Sequence, residues 1–250
     1  MHGLLLLVVF GTALLSGVFG MAGGIVLMGA FTALLPVSAA MVTHGLSQLV
    51  ANGGRAIVHR AHIQWRVIGY YIAGSGSVAL ALALISLSPS KPWVYLALGL
   101  APLLTWTPTS WAQLDAGKPP QAVLAGALVM GFNLVAGAAG PLLDIFFVRT
   151  ALDRHAIVAT KAATQSLSHV FKILFYGAPL LAMPPGQSGL PPWWFFALMV
   201  PVSIAGTLTG TQVLKRLSDA HFKGITRWIL TVIGVVYLFT AFRLFTGQGA

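Results

Sequence analysis

The stretch Gly20-Met21-Ala22-Gly23-Gly24 decides the fold of this chain, because it returns 117 residues later as Gly137-Ala138-Ala139-Gly140-Pro141. The same offset places Gln48 on Gln165. A duplicated, mostly apolar unit that is interrupted by glycine is typical of membrane transporters, which hold their substrate between the two copies. The repeat therefore predicts a transporter without identifying its substrate.

The composition excludes an ordinary soluble domain. Hydrophobic residues make up 57% of the chain and charged residues 7%, and the mean hydropathy is +0.88. About a quarter of the residues in a soluble domain carry charge. No polar stretch exceeds a short loop, so we expect residues 1–250 to form a single integral membrane domain in a lipid bilayer.

The charge and the residue types exclude several other functions. The formal net charge is +10, but the basic residues lie in short connectors, where they orient a chain in the bilayer rather than bind nucleic acid. Cysteine is absent, which excludes disulfides and thiolate metal sites. We expect no metal and no cofactor. Because no Walker loop and no convincing nucleophile–base pair occur, we expect no enzyme.

Ten apolar segments follow one another along the chain, each bounded by glycine, proline or charge. About 20 apolar residues span a bilayer core, and the segments on either side of the two glycine stretches are shorter than that. The segments are 4–19, 24–35, 38–54, 67–87, 93–110, 121–136, 141–151, 156–176, 192–213 and 224–245.

Two topologies fit these segments, and the basic residues distinguish between them. Residues 4–35 form either one kinked span or a hairpin that enters and returns. The hairpin alternative places ten of twelve connector Lys and Arg residues on one side of the membrane, whereas the kinked span divides them five to seven. Orientation follows the Lys/Arg bias of short loops, so the hairpin is favoured, with both termini outside.

The hairpin topology predicts an all-α polytopic membrane protein with two inverted-topology repeats, at about residues 3–111 and 120–246. Each repeat is a Gly-tipped helical hairpin followed by three transmembrane helices. The hairpins enter from opposite faces, so their tips have to be buried in protein or line a cavity. An alternative is that the glycines only allow close helix packing.

The returning helices predict an anion site at the membrane midplane. Their amino ends, near Gly23, Gly24 and Gly140, would point unpaired N–H groups and partial positive charge at a ligand. The helix after each hairpin adds polar side chains: Thr43, His44, Gln48 and Asn52 in the first copy, and Thr160, Lys161, Thr164, Gln165 and His169 in the second. Positions 44, 48 and 52, like 161, 165 and 169, have i, i+4, i+8 spacing and share one helical face. Interhelical hydrogen bonding that only stabilises the bundle is the alternative.

Titratable groups on these helices predict a route for protons. Asp144 lies one turn after Gly140, and Lys161 lies near the start of the next helix, so an Asp144–Lys161 ion pair is expected. That pair is either opened by a substrate anion or static. His44 and His169 titrate near neutral pH, and with Asp144 they are the candidate proton-coupling residues.

The Gly-x-x-Gly-Gly stretch at residues 20–24, the Gly137–Pro141 stretch, and Ala159-Thr160-Lys161-Ala162 followed by Gln165…His169…Lys172 resemble the TauE/SafE sulfite exporter (TSUP) family of bacterial and archaeal membrane proteins. The resemblance covers nearly the whole chain. It implies movement of sulfite, sulfoacetate or thiosulfate-like anions across the cytoplasmic membrane, with export driven by a proton or ion gradient. Family motif positions are carried over to Gly23, Gly24, Thr160, Lys161, Gln165 and His169.

We therefore expect a secondary transporter, an exporter of small sulfur-containing oxyanions such as sulfite or organosulfonates, in the bacterial or archaeal cytoplasmic membrane. A passive anion channel and a non-transporting assembly subunit remain alternatives. The anion, the direction, the coupling ion and association into a homo-oligomer stay open.

Overall fold

A computed structural model describes residues 1–19, 22–106, 114–184, 186–214 and 219–248, without the side chains of residues 219–224 and 227. All the regular structure in these ranges is helical, which confirms the all-α prediction. Gly20 and Met21 of the first predicted tip, and residue 111 at the predicted end of the first repeat, lie outside them. The α-helices are α1 (His2–Phe19), α2 (Ala22–Leu34), α3 (Val37–Val58), α4 (Trp65–Leu84), α5 (Lys91–Leu100), α6 (Pro119–Ala136), α7 (Gly140–Phe147), α8 (Arg154–Leu181), α9 (Trp193–Leu214) and α10 (Asp219–Phe245).

Five of the described helices are long and apolar enough to cross a membrane, which makes this a multi-pass membrane protein. They are α1, α4, α6, α9 and the part of α10 from Trp228 to Phe245. Helices α3 and α8 are also long, at 22 and 28 residues, but their polar side chains lower their hydropathy.

The predicted lengths need two corrections. Helices α1 and α6, expected as short arms, have 18 residues each, or about 27 Å at 1.5 Å per residue. The predicted span 93–110 is not one α-helix, because α5 ends at Leu100 and a 3₁₀ helix runs from Ala101 to Trp106. Pro102 explains the change, since it lacks the N–H that would donate to the carbonyl oxygen of Leu98, and its ring clashes with that carbonyl in a continued α-helix.

The first hairpin is visible in the packing of α2 on α1. A Cβ atom added to Gly23 would overlap the carbonyl oxygen of Thr12 and the side chain of Ser16. A continuous helix would separate residues 12 and 23 by about 16 Å. The two helices therefore run antiparallel, and α2 returns toward the end of the bundle at which α1 begins.

The second hairpin is shown by a backbone bond at its open end. The N–H of Ala116, just before α6, donates to the carbonyl oxygen of Phe146 at the end of α7, over 2.8 Å. Gly137 ends α6 with φ +80°, a left-handed conformation that glycine adopts without steric cost. Helix α7 therefore returns to the side from which α6 entered.

The two hairpins open at opposite ends of the bundle. At one end, the rings of His2 and Trp194 lie 5.3 Å apart, and Lys91 Nζ donates to the carbonyl oxygen of Ala33. The rings of Trp93 and Phe245 also meet there. At the other end, the rings of His62 and His155 lie 5.3 Å apart. Both described chain ends thus lie at the end where the first hairpin opens.

The helices of the two halves pack against each other in four pairs: α1 with α9, α4 with α6, α3 with α8, and α5 with α10. Small residues allow two of these close crossings. Gly210 lies against the backbone of Leu14 and Gly17, and Gly126 lies against the backbone of Tyr71. The α3–α8 pair is central, and the polar side chains are concentrated on it.

Candidate functional site

A cavity of about 1060 Å³ lies between α3 and α8 and reaches both hairpins. Its volume is in the range of small-molecule binding sites. Most of the predicted site residues line it: Gly24, His44, Gln48 and Asn52 from the first half, and Gly140, Asp144, Lys161, Gln165 and His169 from the second.

The cavity extends from the hairpin tips toward one end of the bundle. Its walls continue to Arg55 and Val58 at the end of α3, and to Ile157 and Val158 at the start of α8. These residues lie at the end of the bundle where His62 meets His155. A solute that enters from that end passes Arg55 before it reaches the hairpin tips.

The predicted ion pair between Asp144 and Lys161 is formed. The pair joins α7 to α8 on the cavity wall, and the two side chains are 30% and 26% exposed. Partial exposure keeps both groups accessible to solutes in the cavity.

His44 ties α3 to the start of α2. Its Nε2 lies 3.0 Å from the carbonyl oxygen of Gly24. Because a carbonyl oxygen only accepts, Nε2 carries the hydrogen, and Nδ1 of the neutral ring is left as an acceptor. Gln48 lies on the same face, and its amide would be in contact with a Cβ atom at Gly24.

Lys172 completes a bridge between the two hairpins. Its Nζ donates to the carbonyl oxygen of Gly137 over 2.6 Å and to Nδ1 of His44 over 2.8 Å. The chain of bonds therefore runs from Gly24 through His44 and Lys172 to Gly137. The side chain of Lys172 is fully buried, and it stands directly behind the cavity wall formed by His44.

The sequence interpretation did not select Lys172 as a site residue. The signal was present, since Lys172 follows Ser168 by four residues and His169 by three, which places it on the same side of the helix. A lysine within a membrane-buried helix is also expensive unless it is functional. The sequence alone does not show that the carbonyl oxygen of Gly137 lies within hydrogen-bond distance of Lys172.

Four predicted substrate-binding residues do not line this cavity. Gly23 packs against Ser16 of α1. Thr43 is buried elsewhere on α3, and its hydroxyl has no hydrogen-bond partner among the described residues. The Thr160 hydroxyl accepts a hydrogen bond from the backbone N–H of Gln64, and the Thr164 hydroxyl donates to the carbonyl oxygen of Lys161. Each threonine precedes a cavity residue by one position, which rotates its side chain by about 100° around the helix.

Several polar residues outside the prediction support the cavity wall. Asn133 of α6 donates from Nδ2 to the carbonyl oxygen of Ser168, while its buried Oδ1 has no partner in the described part of the chain. The Ser168 hydroxyl lies 2.7 Å from the hydroxyl of Tyr71 on α4. The Nδ1 atom of His169 is also buried and finds no partner within the described ranges. These bonds hold α4, α6 and α8 together beside the cavity.

The start of α8 is fixed by Asp153, outside the membrane-spanning helices. Its carboxylate accepts hydrogen bonds from the backbone N–H groups of His155 and Ala156. These bonds, with that of Ala156 foremost, lower the pKa of Asp153, because they favour the ionised form. Such a cap satisfies N–H groups that the helix itself leaves unpaired.

No group of three His, Cys, Asp or Glu residues that could hold a metal ion occurs among the described residues. The cavity wall carries hydrogen-bonding side chains, the cationic groups of Arg55 and Lys161, and the carboxylate of Asp144.

Comparison with known proteins identifies one family. The family model described as "Sulfite exporter TauE/SafE" matches residues 5–237, which is most of the chain. No curated protein and no solved structure matches the sequence.

Proposed function

Since the chain belongs to the sulfite exporter TauE/SafE family, which is a family of transporters and not of enzymes, we propose that it exports a small sulfur-containing oxyanion. Sulfite and organosulfonates are the candidate substrates. One observation carries the proposal: a single cavity brings the two polar helices, both hairpins and the Lys161 ammonium together.

Three kinds of group would replace the water around the bound anion. Lys161 supplies positive charge, and Gln48 and Gln165 supply amide donors. The start of α7 supplies backbone N–H groups. The methyl group of Ala139 cannot accept hydrogen bonds from them, and Gly140 lines the cavity. Pre-placed donors in a water-poor site stabilise an anion more strongly than the same donors do in water.

We assign the transport movement to two inverted repeats, at about residues 3–111 and 120–246, that rock against each other. The helix pairs support this assignment. The first helix of each half packs on the fourth helix of the other half, while the third helices pair with each other and the fifth helices pair with each other. A two-fold axis within the membrane plane produces this pattern of pairs.

The orientation follows from the positive-inside rule. Arg60, Arg66, Lys118 and Arg149 lie in or beside the connectors at the cavity-opening end, so that end faces the cytoplasm. The cavity is then open to the cytoplasm, as an exporter requires before it loads substrate, and both termini face outward. The expected location is the cytoplasmic membrane of a bacterium or archaeon. Asp144, His44 and His169 are the titratable cavity residues that would couple transport to protons.

Proteoliposomes containing the purified protein test the proposal. We expect labelled sulfite to accumulate against its concentration gradient when a proton gradient is imposed. Lys161→Met should reduce the initial rate at least about tenfold, which corresponds to ~1.4 kcal/mol. Lys91→Met is the matched control, because Lys91 lies outside the cavity, at the end of the bundle where the first hairpin opens.

The other outcomes separate the alternatives. Sulfite flux that only dissipates a gradient would indicate a passive channel. No flux in wild-type vesicles, or the same flux in Lys161→Met and Gln165→Ala as in wild type, would contradict the proposed site. Gln187→Ala serves as the control for the second variant, because Gln187 is exposed in a connector.

A further inference from the structure

Lys172 is a buried amine for which the described structure holds no counter-anion. Its partners are the Gly137 carbonyl oxygen and His44 Nδ1, both of them neutral acceptors. Of the acids whose side chains are described, Asp144 is paired with Lys161, whereas Asp115 and Asp153 lie in connectors at the end of the bundle. An ion buried without an opposite charge is costly in an apolar interior.

The hydrogen-bond count fits an uncharged Lys172. A neutral amine has two N–H donors, and Lys172 has two acceptors. An ammonium group has a third N–H, for which no acceptor is found within the described residues. His44 is fixed as an acceptor toward Lys172, since its Nε2–H is directed at Gly24. If a proton were added to His44 Nδ1, that N–H and the N–H of Lys172 would point at each other with no acceptor between them. Lys172 is therefore the better proton acceptor of the two.

The groups around Lys172 leave it without another charge partner. On its own helix, His169 lies near His44, with ring centroids 5.8 Å apart, and the Tyr176 hydroxyl donates to the Leu134 carbonyl oxygen. From α4, the Tyr71 hydroxyl is engaged with Ser168. Helices α2, α6 and α9 contain no titratable residue.

We propose that Lys172 binds the proton that accompanies the transported anion, and that the anion in the cavity is its counter-charge. This inference rests on the proposed function and adds a proton site to it. In the empty cavity the amine is neutral; when an anion binds against His44 and His169, one proton from the cytoplasmic side joins Lys172 to give the ammonium. Release of the anion on the other side removes the counter-charge, and the proton leaves with it.

Close contact with α3 holds the lysine in place. A Cβ atom at Gly45 would lie 3.3 Å from Lys172 Cε and 2.8 Å from Ile173 Cγ1. The lysine stem therefore lies along a glycine surface, where little room exists for water to solvate a permanent charge. This packing favours a proton that arrives only together with its anion.

Calorimetric titration of sulfite at about pH 8, where sulfite is a dianion, tests the inference when it is done in buffers of different ionisation enthalpy. We expect wild type to take up about one proton per bound anion, so that affinity rises about tenfold for each unit of pH decrease. Lys172→Met should lose this proton uptake. Lys172→Arg, a permanent cation, should bind sulfite without proton uptake and with a flat pH profile.

Lys91→Met is the matched control, because Lys91 lies outside the cavity, at the end of the bundle where the first hairpin opens. We expect this variant to keep the uptake of one proton. Proton uptake near one in Lys172→Met or Lys172→Arg, or its loss in Lys91→Met, would overturn the assignment to Lys172. If the lysine variants do not fold, wild-type binding without proton uptake is itself sufficient to overturn it. No sulfite binding by wild type would instead overturn the proposed function.

Discussion

The third helix of each half holds its own hairpin through the same position, but with different chemistry. In the first half, His44 of α3 donates to the Gly24 carbonyl of α2. In the second half, the matching residue is Lys161 of α8, which forms an ion pair with Asp144 of α7. Leu27 stands where Asp144 would have its counterpart, and it is buried.

This difference means that matching positions of the two halves attach their hairpins through different chemistry. A neutral hydrogen bond at the first hairpin is a fixed attachment. An ion pair on a cavity wall has a charge that an incoming anion can take over. We therefore propose that the first half supplies the stable side of the site, and that the second half supplies the side that responds to substrate.

The largest effect is expected from a substitution that disrupts the packing of the first hairpin. Gly23→Ala places a methyl group on the backbone of α1 at Thr12. Overpacking typically costs about 1–3 kcal/mol and more where backbone is the obstacle. We expect a large fall in the melting temperature of the purified protein and loss of transport.

Gly11→Ala is the matched control for this variant. Gly11 lies on α1 with open space around its Cβ position, so alanine should stabilise the helix by up to about 1 kcal/mol. Equal melting temperatures of the two variants would contradict the packed hairpin.

The second hairpin depends on a different feature, the left-handed residue at its tip. Gly137→Ala forces a side chain into φ +80°, at a cost of about 1–2 kcal/mol, and brings it against Met28 of α2. We expect a lower melting temperature together with slower transport, because Gly137 also accepts a hydrogen bond from Lys172.

Gly131→Ala is the matched control, because it replaces a glycine within α6 rather than the one at the hairpin tip. Gly131 lies inside α6, where a Cβ atom would make only an ordinary contact with Val78. Its alanine variant should be as stable as wild type or more stable. If Gly137→Ala and Gly131→Ala had the same melting temperature, the left-handed conformation at the hairpin tip would not be needed for stability.

Asp144→Asn makes the second half resemble the neutral first half. Removal of the carboxylate frees Lys161 for the anion, so we expect sulfite to bind about tenfold more tightly, or ~1.4 kcal/mol. Turnover should fall, because no carboxylate remains to compete for Lys161 and thereby promote release of the anion. Calorimetry and an exchange assay measure the two effects, and weaker binding by this variant would contradict the responsive role of the pair.

The smallest effect is expected at the start of α8. Asp153 caps this helix, whereas Pro36 at the start of α3 offers no side-chain acceptor. The pKa of Asp153 is lowered in the folded protein, so its stabilisation is complete above the unfolded pKa of about 3.9 and is lost as the pH falls through the lower folded value. Asp153→Ala should therefore lower the melting temperature slightly at pH 7 and less at about pH 2, which is below the unfolded pKa. An equal decrease at both pH values would contradict the capping role.

The sequence was sufficient to predict much of this arrangement, because membrane helices depend on local composition. Apolar length and glycine or proline boundaries predict all ten α-helices, and the Lys/Arg bias favours the hairpins that the α1–α2 and α6–α7 packing displays. The prediction failed at residues 93–110, which it gave as one apolar segment, because the α-helix ends at Leu100 just before Pro102.

The site was less predictable, because helical rotation and contacts between distant segments decide it. Spacing alone was sufficient to place Lys161, Gln165 and His169 on one face. It did not exclude Thr160 and Thr164, each of which lies one residue before a cavity residue and therefore faces away from the cavity. The bond between Lys172 and Gly137 joins two helices and leaves no local signature.

Calorimetric titration of sulfite into the purified protein at pH 7 tests the central claim most directly, namely that the cavity between α3 and α8 is an oxyanion site. Saturable binding of one sulfite per chain is predicted for wild type and Lys91→Met, with at least about tenfold weaker binding for Lys161→Met. Equal affinity in all three proteins, or a preference for cations or zwitterions over sulfite, would contradict it.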